Sequence, residues 1–167
     1  MAELRQAGAA DAPLISQIIA NSWRGAYQEL IDPVYLARLP DAYWLPSMRA
    51  GLDSGRMYGL LAVESGFPVG CVIFGRGRDE DHGEWGEIVS LYVLPEVMGK
   101  GIGTQLMNAA CAALREDGYS CVYLWSIKGN SRAEHFYQRC GFLHTADEVC
   151  YSLGGHDMTD IRMIREG

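Results

Sequence analysis

Residues 87–108 read Glu-Ile-Val-Ser-Leu-Tyr-Val-Leu-Pro-Glu-Val-Met-Gly-Lys-Gly-Ile-Gly-Thr-Gln-Leu-Met-Asn. A β-branched run, a corner led by Pro95, three alternating glycines and a helical pattern follow one another, which predicts strand, turn and helix in that order. Gly99, Gly101 and Gly103 remove side chains where the turn enters the helix, so backbone N–H groups can close around an anion that the helix dipole favours. The ligand chemistry implied is a phosphate. A Walker loop would need Gly-Lys-Ser/Thr after four intervening residues, whereas Lys100 lies between glycines and Thr104 follows Gly103. A dinucleotide fingerprint needs Gly-x-Gly-x-x-Gly and an acidic residue ending the next strand. The spacing here is two throughout, and the apolar run from Cys121 to Trp125 ends without an acid.

At 167 residues the chain is expected to form one domain, residues 1–167, burying roughly two-thirds of its unfolded surface. A formal charge of −7 and an isoelectric point near 5.0 argue against nucleic acid or an anionic membrane as the main partner and favour a neutral or cationic one. The N-terminus lacks the basic and apolar blocks of a signal peptide, and no apolar run approaches the roughly 20 residues of a membrane span, so a cytoplasmic location is expected. Five cysteines without a Cys-x-x-Cys pair read as reduced core residues. Four dispersed histidines lack metal-ligand spacing, and no metal site is expected.

Along the chain, residues 3–7 form a first strand, Asp11 caps a helix with Pro13 in its first turn, and Leu14, Ile15, Ile18 and Ile19 are its apolar face. The helix runs into an aromatic segment containing Trp23 and Tyr27. Helices are expected over 33–39 and 41–52, the second bent by Pro46. Strands over 57–63 and 69–75 form a hairpin turning at Ser65-Gly66-Phe67-Pro68, and 76–83 is a loop. A strand over 84–93, a helix over 101–116, a strand over 119–125 and a helix over 131–140 follow, and short strands over 142–146 and 160–164 close the chain. The result is an α/β (α+β) domain, a mixed sheet of six to seven strands with helices on both faces.

The second informative stretch is Asn130-Ser-Arg-Ala-Glu-His-Phe136-Tyr137-Gln-Arg-Cys-Gly141-Phe142. Together with Met98-Gly99-Lys100-Gly101-Ile102-Gly103, it resembles the GCN5-related N-acetyltransferase (GNAT) superfamily. The signatures there are Gln/Arg-x-x-Gly-x-Gly/Ala and, further along, Asn-x-x-Ala-x-x-Phe-Tyr-x-x-x-Gly-Phe. Every fixed position of the second signature is present; in the first, Met98 replaces Gln or Arg. Main-chain N–H groups supply most of the grip in such a turn, so phosphate binding should survive without the polar side chain at position 98, and Lys100 offers a partial substitute.

The resemblance implies an acetyl-CoA-dependent N-acetyltransferase acting on a primary amine of a small molecule or peptide. Its alternative is a non-catalytic acyl-CoA-binding or regulatory module that has kept the turn. The residues implied to hold coenzyme A are Leu91, Tyr92 and Val93 on the strand, Met98 through Thr104 in the turn, and Asn130 and Tyr137 beyond it. Val93 N–H would donate to the acyl oxygen and Tyr137 would act as the acid toward the departing thiol. Glu87 is the candidate base and a substrate contact, because its context, Glu-Ile-Val followed by the Met-Gly-Lys-Gly turn, resembles the branch that includes histone acetyltransferases, where a glutamate on this strand deprotonates the amine; alternate positions Glu87, Val89, Leu91 and Val93 share a strand face unless a bulge intervenes. A lysine-type amine costs roughly 4.6 kcal/mol to deprotonate at pH 7, an α-amine only about 1. Trp23, Tyr27 and Tyr35 would flank the acceptor, and the apolar C-terminal strand would pair in a homodimer.

Overall fold

The computed structural model describes all residues 1–167. Its seven strands are β1 (Glu3–Ala7), β2 (Met57–Glu64), β3 (Phe67–Arg76), β4 (Gly86–Val93), β5 (Cys121–Ile127), β6 (Leu143–Leu153) and β7 (His156–Glu166). They form one sheet in the order β1-β2-β3-β4-β5-β7-β6, antiparallel everywhere except between β4 and β5. The helices are α1 (Ala12–Ala26), α2 (Pro33–Arg38), α3 (Leu45–Asp53), α4 (Ile102–Glu116) and α5 (Ser131–Arg139). No helix is long and apolar enough to cross a membrane.

Each sheet face is covered by a different helix set, as the helical periodicities require. On α1, Ile15, Ile18 and Ile19 recur on one stripe and are buried with Leu61, Cys71 and Ile73 of the sheet and Met48 of α3. On α4, Leu106, Met107, Ala110 and Leu114 make the corresponding stripe, buried on the opposite face with Val72, Phe74, Ile88 and Leu124; Phe136 and Tyr137 of α5 join that layer. Burying each such aliphatic side chain contributes roughly 1.5–3 kcal/mol, so these stripes decide which way each helix faces. A third, smaller cluster of Ile31, Leu36 and Met158 lies between the α1–α2 segment and the far end of the β6–β7 hairpin.

Three expectations need correction. Pro46 does not bend a helix over 41–52: α3 begins at Leu45, with the proline in its first turn, where a missing N–H costs no hydrogen bond. The two C-terminal strands are 11 residues each rather than five, joined at Gly154-Gly155. Both glycines have positive φ, the requirement of a tight two-residue hairpin turn. β6 is an edge strand and nearly all exposed, so burial imposes no strict alternation of apolar and polar residues along its 11 residues. Of the five cysteines, all free, Cys71, Cys111 and Cys121 are buried, whereas Cys140 is half-buried and Cys150 lies exposed on β6.

The feature that positions the site is a failure of pairing. β5 matches β4 only at Gly86↔Val122 and Glu87↔Tyr123, after which the two strands diverge. On its other edge, β4 carries one extra residue: Ile73 faces Ser90 and Phe74 faces Ile88, which leaves Val89 as a bulge. A bulge shifts side-chain alternation by one, so Glu87 no longer shares a face with Leu91 and Val93.

Candidate active site

The phase of the β3–β4 ladder determines which backbone groups are left for a ligand. Leu94 N–H donates to Val69 O at 2.8 Å. In an antiparallel pair alternate residues point their N–H and C=O at the partner, so Tyr92 and Leu94 face β3 while Leu91 and Val93 face the other edge. That edge is where β5 has moved away. The opening between the strands therefore receives the N–H groups of Leu91 and Val93, and Ser22 Oγ reaches Val93 O at 3.4 Å from α1.

Below this opening lies a cavity of about 630 Å³, running between the end of β4, the 97–104 turn and the start of α5. Leu91, Tyr92, Val93, Met98, Gly99, Gly101, Ile102, Gly103, Thr104, Asn130 and Tyr137 all line it. The glycines do different work. Gly99 and Gly101 both sit at φ +81 with open space where a Cβ would be, so backbone conformation demands them. Gly103 has no such φ; a Cβ there would stand 3.3 Å from Phe136 Cζ, so it permits α4 to approach α5. Gly101 is the N-cap of α4 and offers no side chain to its first turn, which leaves the opening N–H groups of a 15-residue helix facing the cavity. Met98 half-buries its side chain against the core while lining the cavity. Lys100 is turned outward, its Nζ 3.9 Å from Glu64, and does not line the cavity. Asn130 caps α5, accepting from Ala133 N–H at 3.2 Å.

A second cavity, about 150 Å³, fills the wedge where β4 and β5 separate. Tyr27, Leu91, Tyr92 and Tyr137 line both cavities, so the two meet at the exposed backbone of β4. Trp23 Nε1 donates to Tyr92 Oη at 2.9 Å, and the rings of Trp23 and Tyr27 pack edge to face at 5.3 Å. Burial pushes the phenols of Tyr27, Tyr92 and Tyr137 up, so each is protonated and able to donate at neutral pH. Tyr35 is elsewhere, its ring against Gly154 at the β6–β7 turn.

Glu87 lines neither cavity. Its side chain is 2% exposed and fully engaged: Oε1 accepts from Arg78 Nη2 at 2.7 Å, and Oε2 from Arg78 Nε at 2.9 Å, Arg78 N at 3.1 Å and Tyr123 Oη at 3.1 Å. Four donors converge on the carboxylate, one on Oε1 and three on Oε2, so both oxygens are engaged within the protein. Tyr123 Oη also accepts from Asp79 N–H at 3.1 Å, and Trp125 Nε1 donates to Asp79 at 2.9 Å. The group read as a base thus ties the 77–85 segment to β4 and β5.

The structure brings in two residues that sequence reasoning passed over. Asp160 of β7 and Tyr151 of β6 line the smaller cavity, Tyr151 Oη donating to Asp160 Oδ1 at 2.9 Å. Asp160 already lay in the strand expected over 160–164 with nothing to mark it as a site residue, and the Gly154-Gly155 pair is the signal that would have extended the preceding strand to Tyr151.

The Acetyltransferase (GNAT) family model matches residues 18–142. An uncharacterized N-acetyltransferase of Mycobacterium tuberculosis is 31% identical over 158 residues, which span 93% of this chain and 97% of the relative. Another, YuaI of Bacillus subtilis, is 29% identical over 135 residues, 78% of this chain and 74% of the relative. Among solved structures, the PaiA N-acetyltransferase of Thermoplasma acidophilum in complex with coenzyme A superposes with a TM-score of 0.77 at 19% identity, covering 100% of this chain and 99% of that one. YncA of Salmonella typhimurium, a putative acetyltransferase with acetyl-CoA, gives 0.74 at 20% identity, covering 99% and 94%. With the family model spanning well over half of its length and the glycine turn, splayed strands and Asn-capped α5 in place, the chain belongs to the GNAT acetyltransferase family.

Proposed function

We propose that the protein is an acetyl-CoA-dependent N-acetyltransferase that transfers the acetyl group to a primary amine by direct attack within a ternary complex. The observation that carries this reading is the junction of the two cavities at Leu91, Tyr92 and Tyr137: one cavity has anion-binding backbone at its far end, the other is walled by aromatics. The α4 N-terminus and the Gly99–Gly101 backbone suit a pyrophosphate, and the freed edge of β4 suits an extended amide-containing arm. Support also comes from relatives named N-acetyltransferases and from neighbours solved with coenzyme A or acetyl-CoA.

When bound, acetyl-CoA supplies the acyl group as an activated thioester. The chain's own contribution is positional and electrostatic. Val93 N–H, released by the strand splay, would donate to the acyl oxygen, where preorganised donors typically contribute a hundred- to thousandfold in rate. Tyr137 Oη would give a proton to the sulfur as the C–N bond forms and the C–S bond breaks, and the proton that the amine nitrogen sheds on becoming an amide would return to the phenolate, directly or through water. Tyr27 and Tyr92 line the junction on the α1 side, and Ser22 lines the larger cavity beside it.

Calorimetry should find micromolar acetyl-CoA affinity, and an amine panel should release free thiol in its presence. Absence of binding at millimolar acetyl-CoA rejects the reading; binding without thiol release on any amine leaves a non-catalytic acyl-CoA module instead. Tyr137→Phe should lower turnover roughly ten- to a thousandfold with little change in folding.

A further inference from the structure

The smaller cavity holds an imbalance of charge that the protein itself does not resolve. Asp160 is the only carboxylate lining it. Tyr151 satisfies Oδ1, but Oδ2 accepts no hydrogen bond from the chain, and no Lys, Arg or His forms an ion pair with Asp160. The nearest cation along β7 is Arg162, on the same strand face, and it is turned to Asp79 and Asp147, each at 3.4 Å, and over the Trp125 ring at 4.7 Å. The other titratable groups facing Asp160 are phenols: Tyr151 from β6, Tyr27 from the end of α1 and Tyr92 from β4. Burial without a countercharge pushes the Asp160 carboxyl above its ordinary range.

A half-buried carboxylate with a free oxygen, enclosed by indole and phenol rings, is the complement of a cation. Burying an unpaired charge is costly, and a ligand that brings the missing sign recovers that cost on binding. Trp23, Tyr27 and Tyr92 also present ring surface, which attracts ammonium groups. The volume of about 150 Å³ limits the guest, since a cavity of that size holds about six heavy atoms, the bulk of benzene.

Resting on the acetyltransferase reading above, we propose that the acceptor binds as an alkylammonium cation, its nitrogen held between Asp160 and Tyr151 and its short unbranched stem between the aromatic walls. The same carboxylate repels an acceptor bearing its own carboxylate beside the amine, so free α-amino acids are excluded. Attack requires the neutral amine, and docking by a carboxylate favours the charged form. The rate at saturating acceptor should therefore climb through pH 7 to 9, as expected for an amine of pKa about 10.4, rather than level off near 8 as for a peptide α-amine.

The test uses the whole protein saturated with coenzyme A and compares n-butylamine with 1-butanol by calorimetry. The amine should bind at least tenfold more tightly to the wild type, and Asp160→Asn should remove that preference and raise KM for alkylamines tenfold or more, with acetyl-CoA affinity unchanged. Tyr151→Phe should weaken butylamine several-fold. Equal binding of amine and alcohol by the wild type overturns the proposal without calling on any variant. So does an unaltered preference in Asp160→Asn, or a peptide α-amine turned over with higher kcat/KM than every alkylamine. If the wild type binds no acetyl-CoA, the parent reading falls and takes this one with it; if acetyl-CoA binds and only the amine preference is absent, the parent reading stands alone.

Discussion

Glu87 provides the sharpest test of how the site is built, because its location on β4 suggests chemistry and its contacts suggest architecture. Glu87→Gln keeps the shape but replaces one oxygen with an NH₂ that must face donors from Arg78 or Tyr123. Two charge-assisted hydrogen bonds at about 1.5–3 kcal/mol each are forfeited. The Arg78 side chain is 56% exposed and can turn into water, which recovers part of the loss, so about 2–4 kcal/mol of destabilisation is expected. Arg78→Ala leaves the carboxylate buried with Tyr123 as its remaining side-chain partner; water entering from the exposed side keeps the cost near the lower end of the range for a broken buried pair, about 3 kcal/mol. The double variant should fall well short of the sum, since both changes remove one interaction. Urea unfolding measures all three, and amide exchange across residues 77–85 should accelerate in each. The pH dependence of kcat/KM should keep its shape in Glu87→Gln. Stability within about 0.5 kcal/mol of wild type, together with a lost limb of the pH profile and a hundredfold slower turnover, would refute the anchoring role and restore Glu87 as a base.

The glycines should separate in a paired experiment: Gly101→Ala meets no neighbour but forces a left-handed backbone, costing roughly 1–2 kcal/mol, and should weaken acetyl-CoA by distorting the cradle. Gly103→Ala strains no backbone angle but presses on Phe136, so its effect should appear as a displaced α5 and slower turnover through Tyr137, measurable as a kcat loss with a smaller change in acetyl-CoA affinity. Asp160 carries a stability signature of its own: its carboxyl is raised in the folded state, so between the unfolded and folded pKa the folded protein binds more protons, and stability falls as pH rises through that window. Asp160→Asn should lack that fall and be at least as stable as wild type at pH 7 in urea titrations, and lower stability there would contradict the uncompensated charge.

The same physics explains why function concentrates where β4 leaves β5. A parallel pair that stops after two residues strands backbone donors inside the protein, and such groups are retained only where something else takes up their hydrogen bonds. The bulge at Val89 completes the arrangement by turning Glu87 to the opposite face from Leu91 and Val93, which separates the anchoring network from the β4 backbone that faces the ligand.

Much of this was legible in the amino-acid order because the controlling interactions are local. The glycine spacing at 99, 101 and 103 reflects backbone angles and one close helix approach, and Asn130 ahead of an amphipathic stretch is a cap with its own short-range hydrogen bond. The helical stripes of α1 and α4 follow from a period of 3.6. Tertiary structure alone decided what depends on register between distant segments. One bulged residue removed Glu87 from the face its spacing assigned to it; Arg78 and Tyr123, 9 and 36 residues away, then claimed its oxygens. Asp160 and Tyr151 sit on the β6–β7 hairpin, whose apolar residues announce strands but not a site, and they reach the cavity because β7 inserts between β5 and the edge. A side chain's partners across a sheet are set by pairing order, which no single stretch of sequence contains.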